Sequence, residues 1–466
     1  MHILSKSTYI KGEQCHKALY MYKKHPYLRD KLSLEQRARF KRGTDVGILA
    51  RTYFAGGINM APSSPSLFSK MFEKTMQNLK DPNVNVMYEA IFIYNDTLIM
   101  LDILVRDGVK WRAIEVKSSM SLNETYYHDA ALQYYVLNGC EVPISDMQLM
   151  HINSDYIKEG EIDVKKLFIF ESVKDYAEQH LEAIGNKVNE LKSVVNLSNA
   201  PRVDIGSHCF NPYTCEFRGH CWKKIPQDSF LHTTAFNEKD LFSIYNSGIR
   251  DNKGFKHFID DLSLEMNQLN ALEQDTFYIN YKTFYNLIGN KTGSIAFLNL
   301  LFYRPAVPLI DGHKPYQEVI LAFSILSNQD NEIIEWNCLD DCSKMEEGLN
   351  ILTNALKRYE KVIYFSPQSI NLLMQRYKII ESKEVAFKII NFRDVLKESE
   401  FFNKKTKYDF SLKTIYESLF PSETIPEHGR IILNAMSDSE LERILINKDM
   451  EDENKYLQKI YKHLLH

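Results

Sequence analysis

Glu89, Asp102, Glu115 and Lys117 fall within residues 88–119, which read YEAIFIYNDTLIMLDILVRDGVKWRAIEVKSS. Carboxylates gathered in one place repel each other unless a cation sits between them or one of them is neutralised. A hard divalent ion with oxygen ligands, Mg²⁺ or Mn²⁺, would resolve that conflict.

Local structure has to bring these groups together. Residues 88–93, 98–105 and 110–117 are rich in β-branched and aromatic side chains, and Asn95-Asp96 and Asp107-Gly108 stand between them as turn signals. The pattern predicts an antiparallel meander. Counting outward from two-residue turns sets Asp102 opposite Glu89 on one side and opposite Ala113 on the other. Glu115 is then its diagonal neighbour, about 7–8 Å away. Glu115 and Lys117 share a face because side chains alternate with period two.

Around the meander, periodicity predicts a helix starting near Glu13, another over 34–54 with Phe40, Val46, Ile48, Leu49 and Tyr53 inward, and a third over 67–79. Asn123 caps a helix that carries Asp129, Gln133 and Tyr134 as far as Gly139. Strands over 147–152 and 165–170 and a long helix over 173–195 follow. A connecting helix (236–246) and a loop (252–255) lead to a second alternation of helices and strands. It includes strands at 295–303, 319–326 and 362–365, helices at 345–359 and 369–377, and a tail from Ser437. The expected divisions are 1–228, a linker at 229–256, and 257–466. The fold class is α/β.

The 466 residues, 44% of them hydrophobic with formal charge −4, predict a globular chain of two or three domains. Its charge is unevenly spread: the first fifty residues are basic and interleaved with tyrosines, a composition suited to phosphate backbones and unstacked bases. A solvated charged helix has the same composition. Lys6, Arg39, Arg42 and Arg51, with Tyr134 further on, are the residues expected at a nucleic-acid surface. There is no long uncharged apolar run and no signal-peptide core, so the expectation is a cytoplasmic protein with no membrane partner.

A second constellation is HCFNPYTCEFRGHCW at 208–222, with Cys209-x5-Cys215-x5-Cys221. Three thiolates need a fourth ligand. His16, His208 or His220 would complete a zinc site, and Cys15 would complete a [4Fe–4S] cluster. Cys140, Cys338 and Cys342 are read as packing or free thiols. With no export signal in the chain, disulfides are not expected.

Asp102, Glu115-Val116-Lys117, Gln133, one early cysteine and three late ones resemble the RecB-like branch of PD-(D/E)xK nucleases that carry an iron–sulfur staple. More closely, the chain resembles a bacterial family in which such a nuclease precedes a DnaQ-like, RNase H-fold exonuclease domain. Leu4-Ser5-Lys6-Ser7, Gly43-x2-Val46-Gly47, Asp129-x3-Gln133, His208-Cys209-x2-Pro212 and His220-Cys221-Trp222 carry the match over residues 1–225.

The resemblance implies a restriction-endonuclease-like mixed sheet with flanking helices, and a metal-dependent nuclease acting on DNA strands or ends in repair or defence. Asp102, Glu115 and the Val116 carbonyl would hold Mg²⁺ or Mn²⁺, with Glu89 as a further ligand. Lys117 would help to activate water, and Gln133 would position the strand. Cys15, Cys209, Cys215 and Cys221 would bind the [4Fe–4S] cluster. In the C-terminal RNase H-like α/β domain, Asn299 and Leu301 stand where the family's Asp-x-Glu is required. That domain is expected to be inactive and to bind nucleic acid or protein partners. A catalytically silent iron–sulfur or zinc scaffold within a larger complex is the alternative.

Overall fold

The computed structural model describes residues 4–31, 34–211, 213–261, 263–289, 293–367, 369–377, 389–425 and 440–465. The chain forms two compact units: Met1–Lys223 with Pro305–Gln317, and Lys224–Arg304 with Glu318–His466. Each has a mixed sheet with flanking helices, so the chain is α/β. No described helix is long and apolar enough to cross a membrane.

The first unit opens with a two-residue strand, β1 (Leu4–Ser5), followed by α1 (Lys6–Gln14) and α2 (His16–Lys24). The helix expected near Glu13 therefore begins earlier, at Lys6. Ser5 is extended before it and donates its backbone N–H to Thr8 Oγ1 at 2.7 Å, one half of a capping box. The helix also breaks at Cys15, which is extended at φ −163° and ψ 118°.

Next come α3 (Leu34–Arg51), β2 (Ile58–Asn59) and α4 (Phe68–Lys80). Val46 and Ala50 are buried, but Phe40 and Ile48, expected inward, are 60% and 54% exposed. Apolar residues are spread around α3 without forming one stripe, so only part of the helix finds cover.

The sheet continues through β3 (Val86–Tyr94), β4 (Thr97–Asp107), β5 (Lys110–Lys117), β6 (Ile144–Ile152) and β7 (Phe168–Ser172). Its order is β2-β3-β4-β5-β6-β7, and β1 lies parallel to β4. The meander β3-β4-β5 is antiparallel as predicted, and α5 (Glu124–Gly139) carries the chain across to β6, parallel to β5. Asn123 caps α5 by accepting the Tyr126 N–H at 3.2 Å.

Three other expectations are corrected. Residues Val164–Leu167 form a turn of helix, α6, before β7, in place of a strand from 165. The helix expected over 173–195 is divided at His180 into α7 (Lys174–Gln179) and α8 (Leu181–Val195). The loop expected at 252–255 is a short helix, Asn252–Phe255, capped by Asp251.

The β4–β5 register also differs from the count. Asp107 pairs with Lys110, so the two turn residues are Gly108 and Val109, with Gly108 at φ +61°. Ala113 then faces Leu104, and the register brings Asp102 level with Glu115 instead of Ala113. On the other side Tyr88 pairs with Ile103 and Ala90 with Leu101, so Glu89 stands level with Asp102 as predicted. Neither residue is regular strand. Glu89 takes φ +52°, and Leu101 and Leu104 both join the core beneath α5 while Ile103 joins the other. Strict alternation would separate Leu101 from Leu104, so the ladder is interrupted where the carboxylates lie.

Residues 305–317 belong to this unit. Ala306 and Val307 join the core that contains Ile103, Ile114 and Met150, and the Tyr316 hydroxyl donates to the Ser118 carbonyl just beyond β5.

In the second unit β8 (Ile295–Tyr303), β9 (Val319–Ser327), β10 (Ile333–Asn337), β11 (Lys361–Tyr364) and β12 (Ile389–Asn391) lie in the order β10-β9-β8-β11-β12. The helix Glu440–Leu465 packs on β8, β9 and β10. The start of the tail expected from Ser437, and Pro212 of the cysteine segment, lie outside the described residues. Asn299 on β8 donates to Glu453 Oε2 at 2.7 Å, and Leu301 is buried.

Candidate active site

Glu115 is the centre of the site, 3% exposed on β5 beneath α5. Lys6 Nζ lies 2.5 Å and Lys117 Nζ 3.0 Å from its Oε1, while Gln133 Nε2 donates to Oε2 at 2.7 Å. Burial alone would raise this carboxyl, but Lys117 and then Lys6 more than offset it and hold Glu115 well below the usual carboxylate range.

Asp102 behaves in the opposite way. Its Oδ2 accepts the Val116 backbone N–H at 2.7 Å, a cross-strand bond made possible by the interrupted ladder. Desolvation, then the charge of Glu115, pushes its carboxyl well above the ordinary range. Glu89 is raised by burial as well, with Arg51 Nη2 at 2.5 Å acting the other way.

Lys117 reaches past Glu115 to Asp129 Oδ2 at 2.8 Å and lies 4.8 Å from the centre of the Tyr126 ring. Burial would lower its pKa, but Glu115 and Asp129 outweigh that and raise it. Lys117 is therefore a fixed ammonium that orients and neutralises charge, not a neutral base.

The structure thus brings Asp102, Glu115, Lys117 and Gln133 together and places Glu89 level with Asp102. It adds two residues that the sequence did not assign to the centre. Lys6 was expected only at a nucleic-acid surface, and Asp129 appeared only within a motif. The i, i+4 spacing of Asp129 and Gln133, which puts them on one helix face, was the available signal. Lys6 gave none, because its position depends on β1 lying against β4.

The expected nucleic-acid residues separate. Arg39 is exposed on α3, Arg42 lies 5.7 Å from the Tyr316 ring, and Arg51 is tied to Glu89. Tyr134 is corrected: it is 6% exposed in the core, its hydroxyl donating to Glu178 Oε1 at 2.8 Å, so its ring offers no surface to a base.

Asp102, Glu115 and Glu89 are oxygen donors of the kind a hard divalent ion takes. Asp129 Oδ1 and Gln133 Oε1 are buried acceptors without a hydrogen-bond partner among the described residues, beside an acidic pair of which one member resists ionisation. Each feature is an unmet demand for positive charge.

Cys15, Cys209, Cys215 and Cys221 line one small pocket with Lys17 and Phe217, and the Cys215 N–H donates to the Cys209 carbonyl at 2.8 Å. Burial pushes the Cys15, Cys215 and Cys221 thiols upward, Cys215 to about 11. Four thiols from both ends of the unit form a soft donor set fit for iron–sulfur or zinc, though as they stand no group of three or more His, Cys, Asp or Glu among the described residues is drawn close enough to hold a metal ion. His16 pairs with Glu190 at 3.0 Å, and His208 lines the pocket, its Nε2 3.9 Å from Cys209 Sγ.

No protein-family model matches the chain, and no curated protein matches it.

Proposed function

We propose that the first unit is a metal-dependent deoxyribonuclease of the RecB-like PD-(D/E)xK kind, hydrolysing phosphodiesters in single strands or at strand ends, in repair or defence. One observation carries this: Asp102, Glu115 and Lys117, with Gln133 above them, converge beside an interrupted strand ladder beneath one helix. A purely structural ion pair has no use for a second carboxylate whose ionisation burial and Glu115 oppose.

Asp102, Glu115 and the Val116 carbonyl would hold Mg²⁺ or Mn²⁺, with Glu89 further out. The ion would supply Lewis-acid activation of water and stabilise charge on the phosphate. Lys117, fixed by Asp129, orients the attacking water and offsets the negative charge that grows on the phosphoryl oxygens. Lys6 adds a second positive charge. Gln133 holds Glu115 in place, leaving its own Oε1 to accept a hydrogen bond from the substrate or water.

Cys15, Cys209, Cys215 and Cys221 would hold a structural [4Fe–4S] cluster that ties the early helices to the end of the unit. Closing so long a loop removes much freedom from the unfolded chain. The five-stranded mixed sheet of the second unit supports an RNase H-like α/β domain. Asn299, bonded to Glu453, and the buried Leu301 cannot form that fold's anionic metal pair, so this domain binds and does not cleave.

A silent nucleic-acid-binding scaffold is favoured by a different observation, the full occupation of both Glu115 oxygens by Lys6, Lys117 and Gln133. The deciding experiment uses anaerobically purified wild type and Lys117→Ala with end-labelled single- and double-stranded DNA plus Mn²⁺. Cleavage by wild type alone supports the nuclease. If wild type leaves every substrate uncut while keeping its cluster, the protein is the scaffold.

A further inference from the structure

The second unit contains a cavity of about 490 Å³ that has no role in the chemistry described above. Arg393, Lys397 and Lys407 line it against a single carboxylate, Glu400. Phe410 lies between two of these cations, with the Arg393 guanidinium 5.5 Å and Lys397 Nζ 5.6 Å from its ring centre.

The cations outnumber the carboxylates around them, Glu400 in the lining and Glu238 near Lys407. Among the described residues none of the three forms a salt bridge, whereas Lys404 nearby in sequence pairs with Asp275 at 2.6 Å. Lys407 Nζ donates only to two neutral acceptors, the carbonyls of Leu231 at 2.5 Å and Thr233 at 2.8 Å. Arg393 donates through Nε to the Phe410 carbonyl at 3.2 Å, which leaves the outer edge of its guanidinium for another partner. Burial brings Lys407 down to about 8, an effect that the charge of Glu238 only partly offsets.

An enclosed cation without an ion-pair partner is costly, and a bound anion removes that cost. Guanidinium edges match the oxygens of a phosphate, and aromatic faces beside them accept a planar base. A cavity of this size admits one nucleotide, not a duplex.

We propose that this cavity binds a phosphate monoester carried by a nucleoside, either as a free mononucleotide or as the phosphorylated end of a single strand. It gives the second unit a ligand of its own, independent of the metal chemistry proposed for the first.

The test measures binding to the full-length protein without divalent metal. The probes are dTMP and a dye-labelled single strand with or without a 5′ phosphate. Wild type is expected to bind phosphate-bearing probes, and Lys397→Glu, an exposed change that spares the fold, to weaken them at least tenfold. Arg393→Gln should act in the same direction. A phosphorylated strand bound more tightly than dTMP identifies a strand end as the source, and the reverse identifies the free nucleotide. Equal affinity in wild type and both cavity variants, or no binding of any phosphate-bearing probe, would each overturn the proposal. Failure of cleavage by the first unit affects none of these readings.

Discussion

Lys6 and Lys117 meet at one oxygen of Glu115, from a helix start at the N-terminus and from the same strand two residues on, at 2.5 and 3.0 Å. A single carboxylate that holds two ammonium groups stays ionised, and each lysine stays charged. On the proposed function, the arrangement would concentrate positive charge where a phosphate sits, beside the Asp102 that would hold the metal.

Lys6→Ala should therefore impair chemistry more than folding. Lys6 is about a third exposed and Lys117 remains to pair Glu115, so stability should change by about 1 kcal/mol or less. Loss of one preorganised charge should slow single-turnover cleavage by roughly a hundredfold. Lys6→Arg should recover part of the rate. Denaturant melts and single-turnover assays measure the two effects separately.

Gln133→Leu should affect both. Gln133 is fully buried, and its bond to the charged Glu115 contributes about 1.5–3 kcal/mol. A lower midpoint in urea with an unchanged slope is the expected outcome. A change under about 0.5 kcal/mol would mean the bond is not made in solution.

Asp102 and Glu115 should act with opposite sign on stability against pH. The folded pKa of Asp102 is raised, so the native state binds more protons than the unfolded one, and its contribution falls as pH rises from about 3.9 through the folded value. The folded pKa of Glu115 is depressed; its contribution is present above about 4.3 and is lost as pH falls below that. Asp102→Asn should consequently be more stable than wild type at pH 8 without divalent metal, yet inactive. Thermal melts at pH 5 and pH 8 in EDTA measure the difference. It should shrink at pH 5 and when Mn²⁺ is added.

The sequence made some of this site legible and concealed the rest for physical reasons. Asn95-Asp96 was a good turn signal, and both residues take positive φ, which fixed the first hairpin. At the second hairpin the turn signal read from the sequence was Asp107-Gly108, whereas the turn falls one residue on, at Gly108-Val109, still around Gly108. Only the ladder closed by Asp107 and Lys110 sets that position. The break at Cys15 has no Gly or Pro to announce it, and a strand as short as Leu4–Ser5 carries no periodicity. Lys6 and Asp129 enter the centre through tertiary packing, which residue spacing records only weakly.

Cys15→Ser and Cys140→Ala separate the thiol centre from ordinary packing. Cys15 shares a pocket with Cys209, Cys215 and Cys221, whereas the Cys140 thiol, pushed up to about 11 by burial, donates to the Ile93 carbonyl at 3.4 Å. Anaerobically purified Cys15→Ser should lose the broad visible absorption of an iron–sulfur cluster and should melt well below wild type. Cys140→Ala should keep the absorption and lose only about 1–2 kcal/mol. Equal absorption in wild type and Cys15→Ser would remove Cys15 from the ligand set, and a colourless wild type containing zinc would replace iron.

The central claim is that Asp102 and Glu115 hold one hard cation beside Lys117. Titration of Mn²⁺ into wild type and Asp102→Asn, followed by the electron paramagnetic resonance signal of the free ion, tests it most directly. One bound ion in wild type and none at the same concentrations in Asp102→Asn is the predicted result. Equal binding by the two proteins would contradict it.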